Sequence, residues 1–335
     1  YESDPLPISL SSDKYLMGNR DLTYITDRIK QYVDIKDVID FVASDNPQTK
    51  VESQMGTRYD YLPTRKLRLN VDSAKVLANG TVKTKDADKI VPAIEWDIPG
   101  NHIGKSELIV MDILANNNWE RPIYFVSTGQ EGTLGLDRFM QLDGFAYRLV
   151  PIESPPASQL NAGRIDTDIF YEKLMNQFTF GRMEQPDVYL DNYHVKQLSV
   201  VRIRNRFSRL ALALLYEGKI EKAVKVLDRI VELTPHEKLP YDNYSIGIAE
   251  AYYKCNETEK ANEIIIKFKD ICDRLISYYL DQPEKVIEGS SYEIRYHLQM
   301  LQTMIFVTQN TDQTELTNEV NTLLNDLYQL YQTKI

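Results

Sequence analysis

Apolar positions recur along this chain with two different periods, and each predicts a different element. Over residues 22–33 the side chains Leu22, Ile25, Ile29 and Val33 fall near helical spacing. A second short helix, DIKDVIDFVAS, follows and ends near Asn46-Pro47. The period then changes. In RKLRLNV, Leu67, Leu69 and Val71 alternate with Arg68 and Asn70, the mark of a half-buried strand. Asn79-Gly80 suits a hairpin turn, and KIVPAIEWDI reads as another extended segment. Ser106 is placed to cap a helix through ELIVMDILANN, which is apolar on nearly every side and is expected to be buried. Arg121-Pro122 opens a strand, IYFVS, and FAYRLVPI reads as one more. Short strands mixed with buried helices predict an α+β (mixed α/β) unit over residues 1–155, with the sheet order open.

PIESPPASQLNAG breaks this pattern, and residues 156–195 read as a connecting segment that includes one helical stretch, IDTDIFYEKLMNQF. From there to the end, residues 196–335, the pattern is helical almost throughout. Residues 207–235 and 245–270 align on one template that resembles the tetratricopeptide repeat, an antiparallel helix pair. In the first copy Leu210, Ala211 and Leu214 hold the packing positions of the first helix. Gly218 is at the turn, Ala223 and Leu227 are in the second helix, and Pro235 closes the copy. In the second, Ile248, Ala249, Tyr252, Ala261 and Ile265 match, while Asn256 replaces the turn glycine and the closing proline is missing. The small residues permit close approach: Ala211 is expected to face Ala223, where a larger side chain would push the helices apart. LQMLQTMIFVTQ and ELTNEVNTLLNDLYQLY suggest a third, degenerate or capping pair. Two readings stand: a concave face that binds peptide or protein, or a brace for the first domain.

Length and composition narrow the function classes. A chain of 335 residues suits two domains at roughly 150 residues each. With 43% apolar and 26% charged residues and 14 each of Gly and Pro, it is neither collagen-like nor disordered. Its 39 Lys+Arg against 49 Asp+Glu leave a net charge of −10, which should repel a phosphate backbone, so no nucleic-acid partner is expected. No apolar run approaches the ~20 residues of a bilayer crossing. The chain opens on Tyr1 with no signal-like segment, which reads as the interior of a longer polypeptide. Cys255 and Cys272 fall in what read as antiparallel helices, about 20 Å apart by helical rise, and are expected to be reduced core residues.

Few chemical motifs survive inspection. The stretch from Gly100 to Ser106, GNHIGKS, has three residues between its glycines where a phosphate loop needs four, and Pro99 removes a donor. Asp112 ends LIVMD, which imitates a metal-binding strand but lies inside the expected helix. Gly129, Gly132 and Gly135 do not have dinucleotide-loop spacing and read as a loop after a strand. His102, His194, His236 and His297 are scattered, without metal-ligand spacing, so neither metal nor cofactor is expected. Trp96, Trp119, Tyr124 and Tyr147 lie near Asn116-Asn117-Asn118, Arg121 and Asp143. Trp119, Arg121, Asp143 and Tyr147 are the candidate ligand residues, since aromatic faces beside amide and carboxylate groups suit a sugar or peptide; the same aromatics also suit a core or sheet face.

Four segments of the first domain carry a resemblance: RDLTYITDRIKQYVDIKDVIDFVASD, RYDYLPTRKLRLNVD, ANNNWERPIYFVSTG and LDGFAYRLVPI. Together they resemble the soluble C-terminal portion of multi-spanning Bacteroidetes membrane proteins related to protein O-mannosyltransferases, glycosyltransferases of the lipid-linked-donor type. The resemblance covers residues 8–155, and a helical tail is typical of that family. It implies a transferase centre in the membrane part, so no catalytic residue transfers to this chain. It also implies a place in the periplasm, at the outer face of the cytoplasmic membrane. The implied role is a non-catalytic domain whose repeats hold an acceptor protein or peptide, with the membrane part of the same polypeptide as neighbour. Rival readings are a periplasmic carbohydrate-binding module, a stand-alone interaction module, and a hydrolase with an unrecognised carboxylate pair.

Overall fold

The computed structural model describes residues 4–16, 21–52, 56–126, 132–155, 162–193 and 199–334, and the chain divides into two units, residues 1–166 and 167–335. The first unit runs β1 (Leu22–Ile25), β2 (Val33–Asp34), α1 (Ile35–Ala43), β3 (Val51–Glu52), β4 (Arg58–Tyr59), β5 (Tyr61–Leu62), β6 (Lys66–Asn70), α2 (Ser73–Ala78), β7 (Ala93–Asp97), β8 (His102–Gly104), α3 (Lys105–Asn117), β9 (Tyr124–Phe125), β10 (Met140–Asp143) and β11 (Ala146–Leu149). These strands form three small three-stranded sheets, ordered β5-β1-β8, β2-β6-β7 and β10-β11-β9, and one β3-β4 ribbon.

The alternation in RKLRLNV becomes β6, antiparallel to β7 with Leu67 opposite Trp96 and Leu69 opposite Ile94. Leu67, Ile94 and Trp96 are buried. On the other face Lys66 pairs with Asp97 at 3.0 Å and Arg68 with Glu95 at 2.6 Å, half-exposed pairs that fix register more than they add stability. In α1 the Asp34 carboxylate caps the Lys36 N–H, and Ile35, Val38, Ile39 and Val42 form its buried stripe.

Three local expectations are corrected. Residues 22–25 form a strand rather than a helix, because β-branched and aromatic side chains there pair with both β5 and β8. Asp27, at φ 49°, breaks the run, and its carboxylate accepts from the Arg65 backbone and guanidinium. Asn79-Gly80 makes no hairpin; it ends α2, with Asn79 at the C-cap and Gly80 left-handed. The N-cap of α3 is Gly104 rather than Ser106, and its N–H donates to Glu107 at 2.9 Å.

The second unit is helical: α4 (Thr167–Glu172), α5 (Val201–Tyr216), α6 (Ile220–Leu233), α7 (Asn243–Lys254), α8 (Thr258–Leu280), α9 (Glu284–Gly289), α10 (Ser291–Gln309) and α11 (Thr314–Lys334). The hairpins α5-α6, α7-α8 and α10-α11 pack in succession. Leu210, Ala211, Leu214, Ala223, Leu227, Ile248, Ala249, Tyr252, Ala261 and Ile265 are all buried. Each hairpin turns through one left-handed residue, Gly218, Asn256 or Asp312. The next N–H then reaches back five residues: Lys219 to Leu214, Glu257 to Tyr252, and Gln313 to Thr308. This is the closure that glycine favours and asparagine or aspartate tolerates. The Pro235 carbonyl accepts the N–H groups of Lys238 and Leu239, shaping the long connection to α7.

That connection is held by Arg204, a fully buried arginine on α5. Its guanidinium donates to the Leu239 carbonyl at 2.6 Å, the Pro240 carbonyl at 2.9 Å and Asp242 at 2.9 Å, with longer bonds to Thr234. Asp242 in turn caps α7 through the Tyr244 and Ser245 N–H groups. Tyr252 donates to Asp228 of α6 at 2.8 Å, where Lys260 also lies at 2.7 Å, tying the first hairpin to the second. Cys255 and Cys272 are buried and unpaired, and burial raises their thiols to about 11 and about 12.

Arg204→Ala should lower stability by about 3–5 kcal/mol, because it strands loop carbonyls and Asp242, whereas Arg68→Ala should cost under about 1 kcal/mol. Urea unfolding of both variants checks the contrast. His236 lies against Tyr241; burial, then Lys267, holds its pKa below 6.5. The unfolded chain therefore takes up a proton that the folded chain refuses, so stability should fall as pH drops below 6.5. Comparing urea midpoints at about pH 7.5 and about pH 5.5 should show a smaller difference in His236→Gln than in the parent.

Candidate functional site

The four ligand candidates of the first unit prove to be engaged in its fold. Trp119 is buried at φ 56°; its indole donates to the Asn70 carbonyl at 2.9 Å, and its own carbonyl accepts from Asn79. Arg121 donates to the carbonyls of Asp4 and Pro5. Asp143 is buried, accepts from Gln141 at 3.0 Å and pairs with Arg148 at 3.1 Å. Tyr147 is buried against Gly163, where a Cβ would come within 3.1 Å of the ring. Trp96 is buried in β7, while Tyr124 on β9 is exposed. Of the glycine loop, Gly129 lies outside the described residues, and Gly135, at φ 85°, passes too close to the Asp97 carbonyl for any side chain. His194 also lies outside them. Among the described residues no group of three His, Cys, Asp or Glu side chains could hold a metal ion.

Asp112 has a different role from the metal-strand carboxylate it imitates. It is fully buried in α3, and its carboxylate accepts the Ser9 and Leu10 N–H groups at 2.8–3.0 Å, the Ser9 hydroxyl at 2.9 Å, the Tyr15 hydroxyl, and the Asn116 amide at 2.6 Å. Burial, then this bond, raises the Tyr15 phenol well above its ordinary value. Together with Arg121, Asp112 lays the N-terminal segment as a strap along α3.

The strap forms one wall of a cleft of about 350 Å³. Lys14, Lys50, Arg58 and Lys105 line it, with Asp13, Asp45 and Asp60. Lys14 donates to both oxygens of Asp60 at 3.2 Å, and Lys50 pairs with the same carboxylate. These two lysine side chains are only 8% and 11% exposed, whereas Asp45, 3.5 Å from Lys14, is 94% exposed. Lys105 reaches the Lys14 carbonyl at 2.6 Å, and Arg58 lies 3.6 Å from Glu52. Burial opposes the Lys14 charge, but its polar neighbours, Asp60 foremost and Asp45 among them, together hold the ammonium above the ordinary lysine value. The cleft thus holds cations and carboxylates paired with one another, with Asp45 the most exposed of them. A second cavity, of about 380 Å³, shares Leu22 with the first and includes Ile98, His102 and Leu134.

Of the cleft cations only Lys105 fell in a stretch that sequence reasoning weighed, GNHIGKS, while Lys14, Lys50 and Arg58 lie apart with no shared local pattern. The stretch GNHIGKS forms β8 and the start of α3, and the Glu107 carboxylate occupies the helix N-terminus by accepting from Gly104 and Ser106. The match that decides the family covers residues 1–169, half of the chain and the whole of the first unit, with TMEM260-associated domain 2. The chain belongs to the TMEM260-associated domain 2 family. TMEM260 is a family related to protein O-mannosyltransferases, so this chain is a domain of a glycosyltransferase-related protein. Neither a curated protein nor a solved structure matches it. In this TMEM260-associated domain no described helix is long and apolar enough to cross a membrane.

Asp112→Ala removes the acceptor of the strap's N–H groups and should cost roughly 3 kcal/mol. Limited proteolysis should then cut within residues 4–16 before any other site. A digestion course identical to that of the parent would show that the strap is held by something else.

Proposed function

We propose that this chain is a non-catalytic extracytoplasmic domain of a membrane glycosyltransferase-like protein, set on the periplasmic face of a bacterial cytoplasmic membrane. The membrane part of the same polypeptide would be its neighbour and would perform the transfer. The observation that carries this reading is the TMEM260-associated domain 2 match across the first unit.

In this reading the helical unit holds the acceptor protein or a partner. Stacked hairpins leave one face to solvent, and Tyr216, Tyr292 and Phe306 are large exposed aromatics on α5 and α10. Tyr292 and Phe306 are two heptads apart and so share one side of α10.

Removing residues 167–335 from the full-length protein should abolish or strongly reduce transfer to polypeptide acceptors. The paired change Tyr292→Ala with Phe306→Ala should weaken acceptor binding by the chain about tenfold, read by titration. Transfer unchanged by the deletion, together with no acceptor binding by the chain, would remove the acceptor-holding role. Labelling of the intact cell by a membrane-impermeant reagent should reach this domain, and protection from it would contradict the periplasmic placement.

A further inference from the structure

The strap runs antiparallel to α3, with Asp4 and Pro5 at Arg121, Ser9 and Leu10 at Asp112, and Lys14 at Lys105. Most of what holds it is directed at main chain. Asp112 accepts two successive N–H groups, Arg121 donates to two successive carbonyls, and Lys105 donates to a third. Side chains add the Ser9 hydroxyl, which donates to Asp112 and accepts from Asn116 at 3.1 Å, and the Tyr15 hydroxyl. Leu10 is the one buried apolar side chain of the described strap. Four of the five neutral donors to the Asp112 carboxylate therefore come from the strap, and only Asn116 comes from α3 itself. A fully buried carboxylate deprived of them is costly, so this groove calls for an extended Ser-Leu occupant whenever the unit is folded. None of these contacts requires the occupant to belong to the same chain. The outer side of the strap is a second, separate observation: Leu6, Ile8 and Leu16 are 59%, 42% and 67% exposed, so the strap leaves more large apolar side chains in water than its groove buries.

We propose that two copies of this chain exchange straps, each strap lying in the α3 groove of the other copy. The groove bonds are the same in either form, so the exchanged pair keeps every contact to Asp112, Arg121 and Lys105. What it adds is a second body against the outer side of the strap, which covers Leu6, Ile8 and Leu16. The exchange is reciprocal, so the assembly closes at two copies about a two-fold axis and does not grow into a fibre. The cleft then becomes a shared one, since Lys14 of one copy pairs with Asp60 of the other. Contacts that were internal to one chain become contacts between chains, so the pair forms according to chain concentration and in competition with the strap's own tether. This inference does not depend on the glycosyltransferase-related reading.

The parent chain supplies the first test. Two differently tagged parent populations, mixed at about 200 μM and purified through one tag, should co-purify, and an excess of free strap peptide (residues 4–16) should cut the yield about fivefold. Complementary variants then show which parts are exchanged. Leu10→Asp sets a carboxylate beside Asp112 and ejects the strap from an intact groove, whereas Asp112→Ala keeps the strap and spoils the groove. Neither should associate with itself, and circular dichroism reports whether each is folded. Mixed at about 100 μM, the two should form a heterodimer in sedimentation velocity, with proteolysis within residues 4–16 of the Asp112→Ala chain slowed about tenfold. Leu6→Ser with Ile8→Ser should weaken co-purification of parent-groove copies about fivefold, while a strap peptide carrying the same two changes should bind the Leu10→Asp chain within about twofold of the unchanged peptide. Parent copies that stay monomeric at these concentrations, or a parent pair that excess strap peptide leaves intact, would overturn the exchange whether or not either variant folds. Either result leaves the family membership and the acceptor-holding role of the helical unit to be judged on their own measurements.

Discussion

Each unit is organised around a buried charge that is met chiefly by polypeptide backbone and neutral groups. In the first unit the Asp112 carboxylate gathers the N–H groups of Ser9 and Leu10 and the hydroxyls of Ser9 and Tyr15. In the second the Arg204 guanidinium gathers the carbonyls of Leu239 and Pro240 along with Asp242. An isolated buried ion is costly, so each of these positions is tenable only while its segment lies in place. The dependence runs both ways. Apart from one short 3-10 turn at Ser12–Lys14, the strap and the inter-hairpin connection have no strand or helix pairing to hold them, and the ion takes the place of such a partner.

The two arrangements differ in what they position. Arg204 fixes the spacing between hairpins, since the connection it grips ends in Asp242, the cap of α7. The extra length between the first two helix pairs is thereby absorbed outside the hairpin turns, which keep one closure at Gly218, Asn256 and Asp312. Asp112 fixes a wall. With the strap on α3, Lys14 is brought beside Lys50 and Asp60, residues that belong to the turn after α1 and to the edge near β5.

Much of this order was legible in the residues. The alternation of Leu67, Arg68 and Leu69 is β6, and the all-round apolar run is the buried α3. The mixed first half and helical second half follow the change of period. What escaped was set by partners distant in sequence. Leu22, Ile25 and Ile29 have helical spacing, but strand pairing on both sides of β1 outweighs it. The cleft draws on separate elements, and nothing in the local pattern around Lys14 or Lys105 announces a shared neighbour. Arg204 did leave a signal, a charge set beside Ile203 and Phe207 on the face that packs. Asp112 left a clearer one as the single charge in LIVMDIL, whereas Arg204 shares its helix with Arg202, Arg206 and Arg209. A lone charge in an otherwise apolar run marks a place where the fold must bring polar groups from elsewhere.

The thiols of the helical unit bear on where such a domain can live. With pKa values near 11 and 12, Cys255 and Cys272 are ionised at neutral pH to only ~1 part in 10,000 or less, and only the ionised sulfur attacks a disulfide or peroxide. Both sulfurs are also shielded by packing. The unit can therefore pass through oxidising surroundings with its cysteines inert, needing neither a bridge for its stability nor a reductant to keep one from forming.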